Sequence, residues 1–553
     1  MTRQRYDETH VADVIVLGFG GAGGCAAIEA HDCGADVILI ERQPGERHYS
    51  NTRMSGGGYH SPSRDGDFEA LKAYAKAMFS GENLPQMLEG EQPDFSDELA
   101  DAWARYSPEN ESFMRSLDPD YKTVIISNAA FPDFPGAGNS GYAVVKSTYT
   151  GSEDEAELFR FTVDADKKQK QSGEAFHACL LTGVKSRGIP VHYGTRGREL
   201  LINEDGEVTG LVCERDGRRI AYRARRGVVL TCGGYEYNKR MRKAFLEGPG
   251  VEGWAFYGTT ENTGDGIEMA LKIGAALTKV GKIAGRVICA VPVRRHGLKI
   301  GLNTNGVGKP NEIVVDSYGN RYASERRITK DPSRYIFYKE ALQFDTINLN
   351  YPRIPSWMVF DTTLIEAGPI VRVAAAAYNA IDWGHDNTNA VRQGWILKGE
   401  TIEELARRIA EHPDNRGLMQ PDRLAQTVER FNGFCAEGHD ADFDREPKTM
   451  APVEKAPFYA IPLYPGGPNT KGGLRSNARR QVLDWEDRPI PRLFTAGEIS
   501  SAFQFVYQGG GNLAECITFG RLAGREAASQ PPLDGPDRPA GAKTHGRVAE
   551  PVR

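Results

Sequence analysis

A short apolar run that leads directly into a glycine-rich turn constrains the fold of this chain more than any other feature. Residues 13–17, Asp-Val-Ile-Val-Leu, predict a buried strand, and the turn Gly-Phe-Gly-Gly-Ala-Gly occupies residues 18–23. Small residues over 25–33 then predict a helix, and residues 36–40, Asp-Val-Ile-Leu-Ile, predict a second buried strand. A strand, turn, helix and strand in this order predict the opening unit of an α/β fold.

The positions of three glycines and one acidic residue in this unit predict a dinucleotide site. Gly18 permits the tight turn, Gly20 lets the backbone approach a diphosphate, and Gly23 lets the helix pack closely on the strand. The diphosphate would lie at the helix N-terminus, where free N–H groups and the helix dipole stabilise an anion. Glu41 follows the second strand, eighteen residues after Gly23. A carboxylate at that point accepts hydrogen bonds from an adenosine ribose.

The composition excludes several classes of protein. The 553 residues exceed what one compact core holds, so we expect two or three domains. Lys and Arg number 68 against 74 Asp and Glu, and this net charge of −6 favours neither nucleic acid nor an anionic membrane as a partner. No apolar run approaches the ~18 residues of a transmembrane helix. The polar first ten residues leave no room for a signal peptide.

The eight cysteines indicate a reducing compartment. They are scattered without a CxxC pair and without a Cys/His cluster of metal-ligand spacing. Free thiols are typical of the cytosol. We therefore expect a cytoplasmic protein that has no metal site.

The middle of the chain contains helical and strand-like segments of ordinary length. Helical composition dominates residues 66–118 and 165–188, whereas residues 50–58 are too polar and glycine-rich for a core element. A buried strand that runs into a Gly-Gly turn is predicted over 226–234. The residues Thr-Gly-Asp-Gly at 263–266 predict the start of a further helix. Short strands are predicted near 190–193, 199–203 and 209–215.

A change of pattern predicts an inserted domain. Short strands, long loops and amphipathic helices, the clearest of them over 401–409, replace the earlier pattern between 282 and 460. Glycine-rich turns then return, and the last residues are rich in Pro, Gly and charge. The predicted units are a first domain over 1–281, an inserted domain over 282–460, a return to the first domain over 461–529 and a disordered tail over 530–553.

Ten short motifs, in order along residues 11–529, carry a resemblance to a known family. They are VIVLGFGGAGG, SNTRMSGGG, VVLTCGG, NTGDGIEMA, VVDSYGNRYASE, PFYAIPL, TKGG, IPRLFTAGE, GGGN and ITFGRLAG. The chain resembles the flavoproteins that comprise soluble fumarate reductases, succinate dehydrogenase flavoprotein subunits and 3-ketosteroid dehydrogenases. The resemblance implies an α/β fold with a Rossmann-like FAD-binding domain split in sequence. It also implies an inserted α+β cap domain that closes over the substrate.

The resemblance also implies which residues bind FAD. Relatives that attach FAD covalently carry a histidine where this chain has Asn51, so we expect noncovalent FAD. Besides Gly18, Gly20, Gly23 and Glu41, the implied cofactor residues are Arg42, Asn51, Thr52, Gly57, Gly58, Gly233, Asp265, Gly497, Glu498, Asn512 and Leu513.

The substrate end departs from the fumarate reductases. Those enzymes carry a histidine where this chain has Asn469, and an arginine just before Gly-Gly-Asn where residues 507–510 contain none. An amide cannot replace a guanidinium as the clamp of a carboxylate, so fumarate and succinate are disfavoured as substrates. The implied proton-donating arginine falls in a segment that contains Arg326, Arg327 and Lys330, so the donor is one of these residues or is absent.

The same C-terminal loop resembles that of the ketosteroid dehydrogenases. There a tyrosine hydroxyl and a glycine N–H polarise the substrate carbonyl, and Tyr507 and Gly511 have the matching spacing. Those enzymes also use a second tyrosine as the base. The candidates for that base are Tyr318, Tyr322, Tyr335, Tyr338, Tyr142 and Tyr149.

These features predict an FAD-dependent oxidoreductase of CH–CH groups. The expected reaction is α,β-dehydrogenation next to a ketone carbonyl, or the reverse ene-reduction, of a cyclic ketone or 3-ketosteroid, with an external electron acceptor or donor. A first alternative is a fumarate-reductase-like enzyme of a carboxylated substrate, in which Arg326, Arg327 or Lys330 binds the anion. A second alternative is a flavin-binding electron-transfer subunit. For His48 and His60, which flank the flavin-lining loop, structural roles are expected.

Overall fold

The structure is a computed structural model of the whole chain. It describes residues 6–81, 96–128, 130–149, 170–326, 333–503 and 507–533, and all statements below concern those residues. Lys330, Arg327 and the end of the predicted tail lie outside them.

Four sheets are built from strands distributed over the whole chain. The strands are β1 Glu8–Leu17, β2 Val37–Ile40, β3 Gly58–His60, β4 Tyr121–Ser127, β5 Val144–Tyr149, β6 Lys170–Gln171, β7 Val191–His192, β8 Arg196–Ile202, β9 Val208–Arg215, β10 Arg218–Leu230, β11 Ala255–Phe256, β12 Leu277–Ile283, β13 Arg286–Arg295, β14 Leu298–Leu302, β15 Glu312–Val315, β16 Ser356–Phe360, β17 Leu397–Gly399, β18 Phe458–Gly467, β19 Thr470–Leu474, β20 Gln481–Leu483 and β21 Pro489–Thr495.

The helices separate and cover these strands. They are α1 Gly21–Asp32, α2 Asn51–Met54, α3 Phe68–Ser80, α4 Ser96–Tyr106, α5 Asn110–Leu117, α6 Ser172–Ser186, α7 Lys239–Phe245, α8 Asp265–Leu271, α9 Ser333–Ala341, α10 Thr362–Glu366, α11 Val373–Tyr378, α12 Thr388–Arg392, α13 Ile402–Glu411, α14 Pro421–Glu437 and α15 Gly511–Ala528.

The first sheet is parallel at its centre. Its order is β20-β21-β10-β1-β2-β7, with β9 and β8 attached beside β10. Leu17 at the end of β1 pairs with Ile40 and with Leu230, and Leu230 pairs with Thr495. The carboxyl ends of β1, β2, β10 and β21 therefore meet at one edge, which is where α/β sheets bind their ligands.

Residues 14–17 of β1 are buried on both faces, as their unbroken apolar run requires. Val14 and Val16 pack with α1, α6 and α15 on one side of the sheet. Ile15 and Leu17 face the opposite side, in the core cluster that continues into the second sheet. The α/β fold predicted from the opening unit is confirmed.

The second sheet lies within the predicted inserted region. Its order is β14-β13-β18-β16-β15, with β11 and β17 also paired to β18. Apolar residues of α13 and α14 cover one face of this sheet. Strand β11 precedes residue 282 and β18 extends beyond residue 460, and the exact bounds of the inserted domain stay a prediction. The remaining strands form the pair β12-β19 and the small sheet β3-β5-β4 with β6.

The predicted elements mostly appear at their expected places. The helical region 66–118 contains α3, α4 and α5, and the helices predicted from 263–266 and over 401–409 are present as α8 and α13. Of the helix predicted over 165–188, Ser172–Ser186 form α6, whereas Lys170–Gln171 form β6. The expectation that residues 50–58 contain no core element was wrong, because α2 lies there and β3 begins at Gly58. The Ser50 side chain caps α2 by accepting from the Arg53 N–H at 3.4 Å, which lets a polar segment form a helical turn.

Two further sequence predictions concern the environment of the chain. All eight cysteines are free thiols, of which Cys33 is exposed. No helix in the described part of the chain is long and apolar enough to cross a membrane. The cytoplasmic location stays a prediction.

Candidate active site

A cavity of about 570 Å³ lies at the carboxyl edge of the first sheet. Its walls come from the loops that follow β1, β2, β10 and β21, from the sheet β3-β5-β4 and from the inserted region. The site is therefore assembled from segments that are hundreds of residues apart in the chain.

The glycine turn has the geometry that its spacing predicts. Gly18 has a φ of 108°, and a Cβ there would lie 2.7 Å from the Cys232 Cα. A Cβ on Gly23 would lie 1.8 Å from the Gly18 carbonyl oxygen, so only glycine permits this contact of helix and strand. Helix α1 begins at Gly21 without a side-chain cap on Gly20. The Gly21 N–H donates to the Thr52 hydroxyl at 2.8 Å, and Gly20, Gly21 and Ala22 line the cavity, so the start of α1 lies where a diphosphate would bind.

Glu41 is held at the end of β2 by the backbone around it. One carboxylate oxygen accepts from the Phe19 N–H and the other from the Gln43 N–H, each at 2.8 Å. Burial raises the pKa of Glu41, although these hydrogen bonds and the Arg42 charge favour the ionised form. The carboxylate lines the cavity at the position predicted for an adenosine ribose.

Arg42 and Asp265 form a charged wall beside Glu41. Arg42 pairs with Glu261 at 2.9 Å and lies 3.6 Å from Asp265. Both oxygens of Asp265 accept from Arg196 at 2.7 Å. Burial alone would raise the pKa of Asp265, but the Arg196 hydrogen bonds and the two nearby guanidinium charges lower it. Asp265 is therefore a carboxylate whose orientation Arg196 determines.

Asn51 connects three parts of the cavity wall. Its side-chain oxygen accepts from the Thr259 N–H at 2.6 Å, and its amide nitrogen donates to Glu498 at 3.0 Å. Burial raises the pKa of Glu498 well above its ordinary value, and the neighbouring charge of Glu236 raises it further. The adjacent Thr52 accepts from the Gly21 N–H at 2.8 Å. The loop that contains Asn51 and Thr52 is thus attached both to α1 and to the segment before α15.

The N-terminus of α15 forms the next part of the wall. The Asn512 side chain donates to Asn469 at 2.7 Å and accepts from the buried Lys471. Gly511 does not line the cavity, and its N–H donates to the Gln508 carbonyl at 3.0 Å. The ammonium of Lys471 also lies 5.2 Å from the ring centre of Tyr507. Lys471 therefore contacts both the helix start and the loop that precedes it.

Two further groups of residues line the cavity. Ile126, Phe131 and Val144, from β4, β5 and the loop between them, form an apolar group that we call the apolar wall. Tyr257, Arg286, Asn303 and Arg372 form a polar group that we call the polar wall, and Tyr142 and Tyr507 also line the cavity.

Most of the predicted cofactor residues meet at this cavity. Gly23 lies behind the turn, in the contact of α1 with β1 described above. The predicted residues that line the cavity are Gly18, Gly20, Glu41, Arg42, Asn51, Thr52, Gly57, Gly58, Gly233, Asp265, Gly497, Glu498, Asn512, Leu513 and Tyr507.

Two of the predicted catalytic residues lie away from the cavity. The Tyr318 hydroxyl accepts from the Asn350 side chain at 3.3 Å, and Arg326 pairs with Glu446 at 3.2 Å with 48% of its side chain exposed. Glu325, just before Arg326, is buried against Arg321 at 2.7 Å. This ion pair anchors the segment within the inserted region, and the cavity lining does not include it.

Of the tyrosines predicted as candidates for the base, the structure places some at the cavity and others away from it. Tyr142 lines the cavity and its hydroxyl oxygen lies 3.2 Å from His60 Nε2. Tyr149 donates to Asp118 at 2.9 Å, and Tyr322 shares a hydrogen bond with Ser356 at 2.6 Å, both outside the cavity. Tyr338 is buried without lining the cavity, and the Tyr335 side chain lies outside the described part.

Sequence reasoning missed the residues of the polar wall. Tyr257, Arg286, Asn303 and Arg372 belong to no motif, and their convergence depends on how the second sheet packs against the first. One feature of the sequence could have pointed to the polar wall. Arg372 is a charged residue within the otherwise apolar stretch Pro-Ile-Val-Arg-Val-Ala-Ala-Ala-Ala. A charged residue in such a stretch needs a polar partner or a ligand.

Comparison with known proteins matches residues 13–513 to the FAD binding domain family. A 3-oxosteroid 1-dehydrogenase of Mycolicibacterium smegmatis is 27% identical over 606 residues, which cover 96% of this chain and 98% of the relative. A probable fumarate reductase of Shewanella frigidimarina is 27% identical over 526 residues, covering 94% of this chain and 75% of the relative.

A solved structure shares the fold. The 3-ketosteroid delta1-dehydrogenase of Sterolibacterium denitrificans superposes with a TM-score of 0.75 at 23% identity, covering 94% of this chain and 99% of that one. The cavity residues fit FAD, since a glycine turn, the start of α1 and a carboxylate suited to a ribose line one cavity of about 570 Å³.

Proposed function

This chain belongs to the FAD binding domain family, and we propose that it performs α,β-dehydrogenation next to a ketone carbonyl, or the reverse ene-reduction. It is an FAD-dependent oxidoreductase of CH–CH groups. The proposal concerns the substrate, for which we infer a cyclic ketone such as a 3-ketosteroid. We further infer that FAD is bound noncovalently and exchanges electrons with an external partner.

The observation that carries this proposal is the presence of Tyr507 and Tyr142 on one cavity with the cofactor residues. FAD, when bound, supplies the acceptor or donor of hydride. A Tyr507 hydroxyl that donates to the substrate carbonyl polarises it and stabilises the enolate-like oxygen that forms as the neighbouring carbon loses a proton. Tyr142 is then the candidate to take that proton or to return it.

His60 supports the role of Tyr142. Its Nε2 lies 3.2 Å from the Tyr142 hydroxyl and 3.1 Å from the Gly509 carbonyl oxygen, which requires Nε2 to carry the proton. Burial lowers the pKa of His60 to about 4, so the ring is neutral near pH 7. Because the single Nε2 proton is donated to the Gly509 carbonyl, the neutral His60 ring contacts the Tyr142 hydroxyl and does not take its proton.

The carbonyl donor pair differs from the predicted one. Gly511 was expected to provide an N–H beside Tyr507, but that N–H donates to Gln508 within the loop. Gly509 and Gly510 line the cavity instead. We therefore assign the polarising role to Tyr507 alone, and the 3-oxosteroid activity named for the Mycolicibacterium relative supports a ketone substrate.

A second candidate function is the reduction or dehydrogenation of a carboxylated substrate without a ketone. Arg286 and Arg372 on the polar wall favour it, since guanidinium groups bind carboxylates. Of the three residues predicted for this purpose, Arg326 pairs with Glu446 outside the cavity, and Arg327 and Lys330 lie outside the described residues. The fumarate reductase activity named for the Shewanella relative also supports this candidate.

An anaerobic titration distinguishes the two candidates. Oxidised holoenzyme is mixed with saturated cyclic ketones, with 3-ketosteroids or with succinate, and the loss of flavin absorbance is followed. The reduced enzyme is mixed with the corresponding enones or with fumarate. Ketone-dependent bleaching and enone-dependent reoxidation support the proposed function. A flavin that responds to the dicarboxylates and to no ketone would replace it with the second candidate.

A further inference from the structure

Glu236 and Glu498 bring two carboxyl groups together at the cavity. They follow β10 and β21, two parallel neighbours whose last residues, Leu230 and Thr495, are paired. The register of these strands therefore places both glutamates at the carboxyl edge of the first sheet. Glu498 lines the cavity, whereas Glu236 is fully buried and does not line it.

The hydrogen bonds of Glu236 leave one of its oxygens without a donor. Its Oε1 accepts from the Thr470 N–H at 2.9 Å. Among the described residues, no N–H or O–H group donates to its Oε2. A buried carboxylate oxygen that accepts no hydrogen bond has lost its water without compensation, which is unfavourable.

The neighbour of that oxygen is the carboxyl group of Glu498. Glu498 Oε1 and Glu236 Oε2 lie 2.4 Å and 3.1 Å from the point that a Cβ on Gly234 would occupy, so the glycine leaves room for both oxygens. The two side chains are within hydrogen-bonding contact. Neither oxygen of a carboxylate can donate, so a hydrogen bond between the two groups requires a proton.

The other partners of Glu498 are neutral amides. Asn51 donates to it at 3.0 Å and Asn262 at 3.4 Å. Burial raises the pKa of Glu498 and the adjacent Glu236 raises it further, while the Asn51 hydrogen bond and the Lys471 charge lower it. The environment of Glu498 therefore favours a proton on the pair.

The positive charges near the pair have other partners. The Lys471 ammonium lies 3.7 Å from the Glu515 carboxylate, and Arg242 donates to the backbone carbonyl of Glu236. In the described part of the chain, no lysine or arginine forms a salt bridge with Glu236 or Glu498. The titratable groups that face the pair are Lys471, Arg242, Tyr235 and Cys516, with Glu515 next to Lys471.

We propose that Glu236 and Glu498 share one proton and form a carboxylic acid–carboxylate pair in the wall of the cofactor cavity. Glu236 is then the positioning residue of Glu498, because the shared proton fixes Glu498 Oε1 and leaves the pair with one negative charge instead of two. The single charge matters because FAD carries a negatively charged diphosphate, whose binding a doubly ionised pair would oppose. The inference concerns the cofactor site and does not depend on the substrate of the proposed function.

Infrared difference spectroscopy of the holoenzyme detects the shared proton. A protonated carboxyl group has a carbonyl stretching band that carboxylates lack and that shifts in D₂O. Glu236→Gln and Glu498→Gln each replace the proton by an amide N–H, so each should remove one such band at pH 7.5. Spectra scaled to equal FAD content cancel the flavin bands. If both variants retain every band of the wild type, the pair holds no proton and the inference is wrong.

Glu312→Gln is the matched control. Glu312 is also fully buried, burial raises its pKa to about 8, and it does not line the cavity. This variant should lose a different band and bind FAD as the wild type does at every pH. Loss of the same band in all three variants would assign the proton to another site and overturn the inference.

The affinity of the apoprotein for FAD connects the proton to the cofactor. Quenching of flavin fluorescence gives the dissociation constant between pH 6 and 9, and infrared spectra are recorded at the same pH values. Where the wild type loses the band, its dissociation constant should rise by up to about tenfold per pH unit. Where it keeps the band, this rise should be absent. Both glutamine variants should depend less on pH.

An affinity that falls while the band persists, or a band that is lost without a change in affinity, would show that the pair does not act on the cofactor site. The melting temperature of each variant is measured alongside. If one glutamine variant does not fold, the other provides the same test. If neither folds, the pH series of the wild type decides between the same two outcomes.

Discussion

The Asn51 amide donates to the Glu498 carboxylate at 3.0 Å, although 447 residues separate the two in the chain. The same side chain accepts from the Thr259 N–H, so it joins the loop after β2, the segment before α8 and the loop after β21. Neither of these contacts needs a bond to a cofactor. Asn51 thus acts as a structural amide at the position where covalent relatives are expected to carry histidine.

The first prediction is that the flavin is released on denaturation. Asn51 has no nucleophilic ring nitrogen, so no covalent link to FAD can form through it. Acid precipitation of the holoenzyme should leave a yellow supernatant and a colourless pellet. Flavin absorbance or fluorescence retained in the washed pellet would contradict noncovalent binding.

The second prediction concerns Glu41 and the adenosine ribose. Glu41→Gln replaces one accepting oxygen by a donor, which opposes the Phe19 or Gln43 N–H and weakens the contact to the ribose. The dissociation constant of FAD should rise about ten- to a hundredfold. Quenching of flavin fluorescence by the apoprotein measures it.

A matched control for Glu41 is Glu214→Gln, an exposed glutamate on β9 that does not line the cavity. The control should bind FAD as the wild type does. Wild-type FAD affinity in Glu41→Gln would remove Glu41 from the proposed ribose contact.

The third prediction concerns Tyr507. Tyr507→Phe removes the hydroxyl and keeps the ring that packs against Lys471. Loss of one donor to a developing oxyanion costs about a hundredfold to a thousandfold in rate. The rate of flavin reduction by a ketone, measured by stopped flow under anaerobic conditions, should fall by that amount while FAD content is retained. A decrease of less than about threefold would show that the ketone is polarised by another group.

The fourth prediction separates Tyr142 from the other tyrosines. Tyr142→Phe should lower the rate of flavin reduction by about a hundredfold or more, as expected for loss of a proton acceptor. Tyr149→Phe is the control, since Tyr149 donates to Asp118 outside the cavity and should affect stability by about 1 kcal/mol without changing the rate. If both variants lose activity equally, or if Tyr142→Phe is fully active, another group is the base.

The fifth prediction concerns the contribution of buried histidines to stability below pH 6.5. Burial lowers the pKa of His60 to about 4 and that of His177 to about 3, against an ordinary value of 6.5. At these side chains the unfolded chain therefore binds protons that the folded chain does not, so their contribution to the free energy of unfolding decreases as the pH falls from 6.5 towards these values. The raised pKa values of Glu312 and Glu498 act in the opposite direction. Each histidine contributes up to about 1.4 kcal/mol per pH unit in this range.

Urea unfolding of the apoprotein at pH 7.0, 6.0 and 5.5 measures this dependence. His177→Phe removes one of these buried histidines, beside His48, whose pKa burial also lowers, so the stability of the variant should fall less steeply with decreasing pH than that of the wild type. An unchanged slope in the variant would show that His177 is not held neutral by burial.

Local patterns in the sequence were sufficient for the cofactor end of the site. The run from β1 to β2 contains its own strand, turn, helix and strand, and both the positive φ of Gly18 and the contact of Gly23 with the Gly18 carbonyl lie within that run. Glu41 follows β2 directly, so the register of two adjacent parallel strands places it beside the turn. The glycine turn and the position of Glu41 can therefore be predicted without knowledge of the remaining chain.

The substrate end depended on packing between distant segments. Arg286, Asn303 and Arg372 lie in three different segments, and their chemistry is apparent only when the second sheet sets them against β4, β5 and the loop before α15. In the folded chain Tyr142 lines the cavity, whereas Tyr318 and Arg326 lie outside it. The opening strands and the glycine turn depend on neighbouring residues, so the sequence determines them by itself. The residues that line the substrate side of the cavity come from distant segments, so only the tertiary structure decides which of them meet.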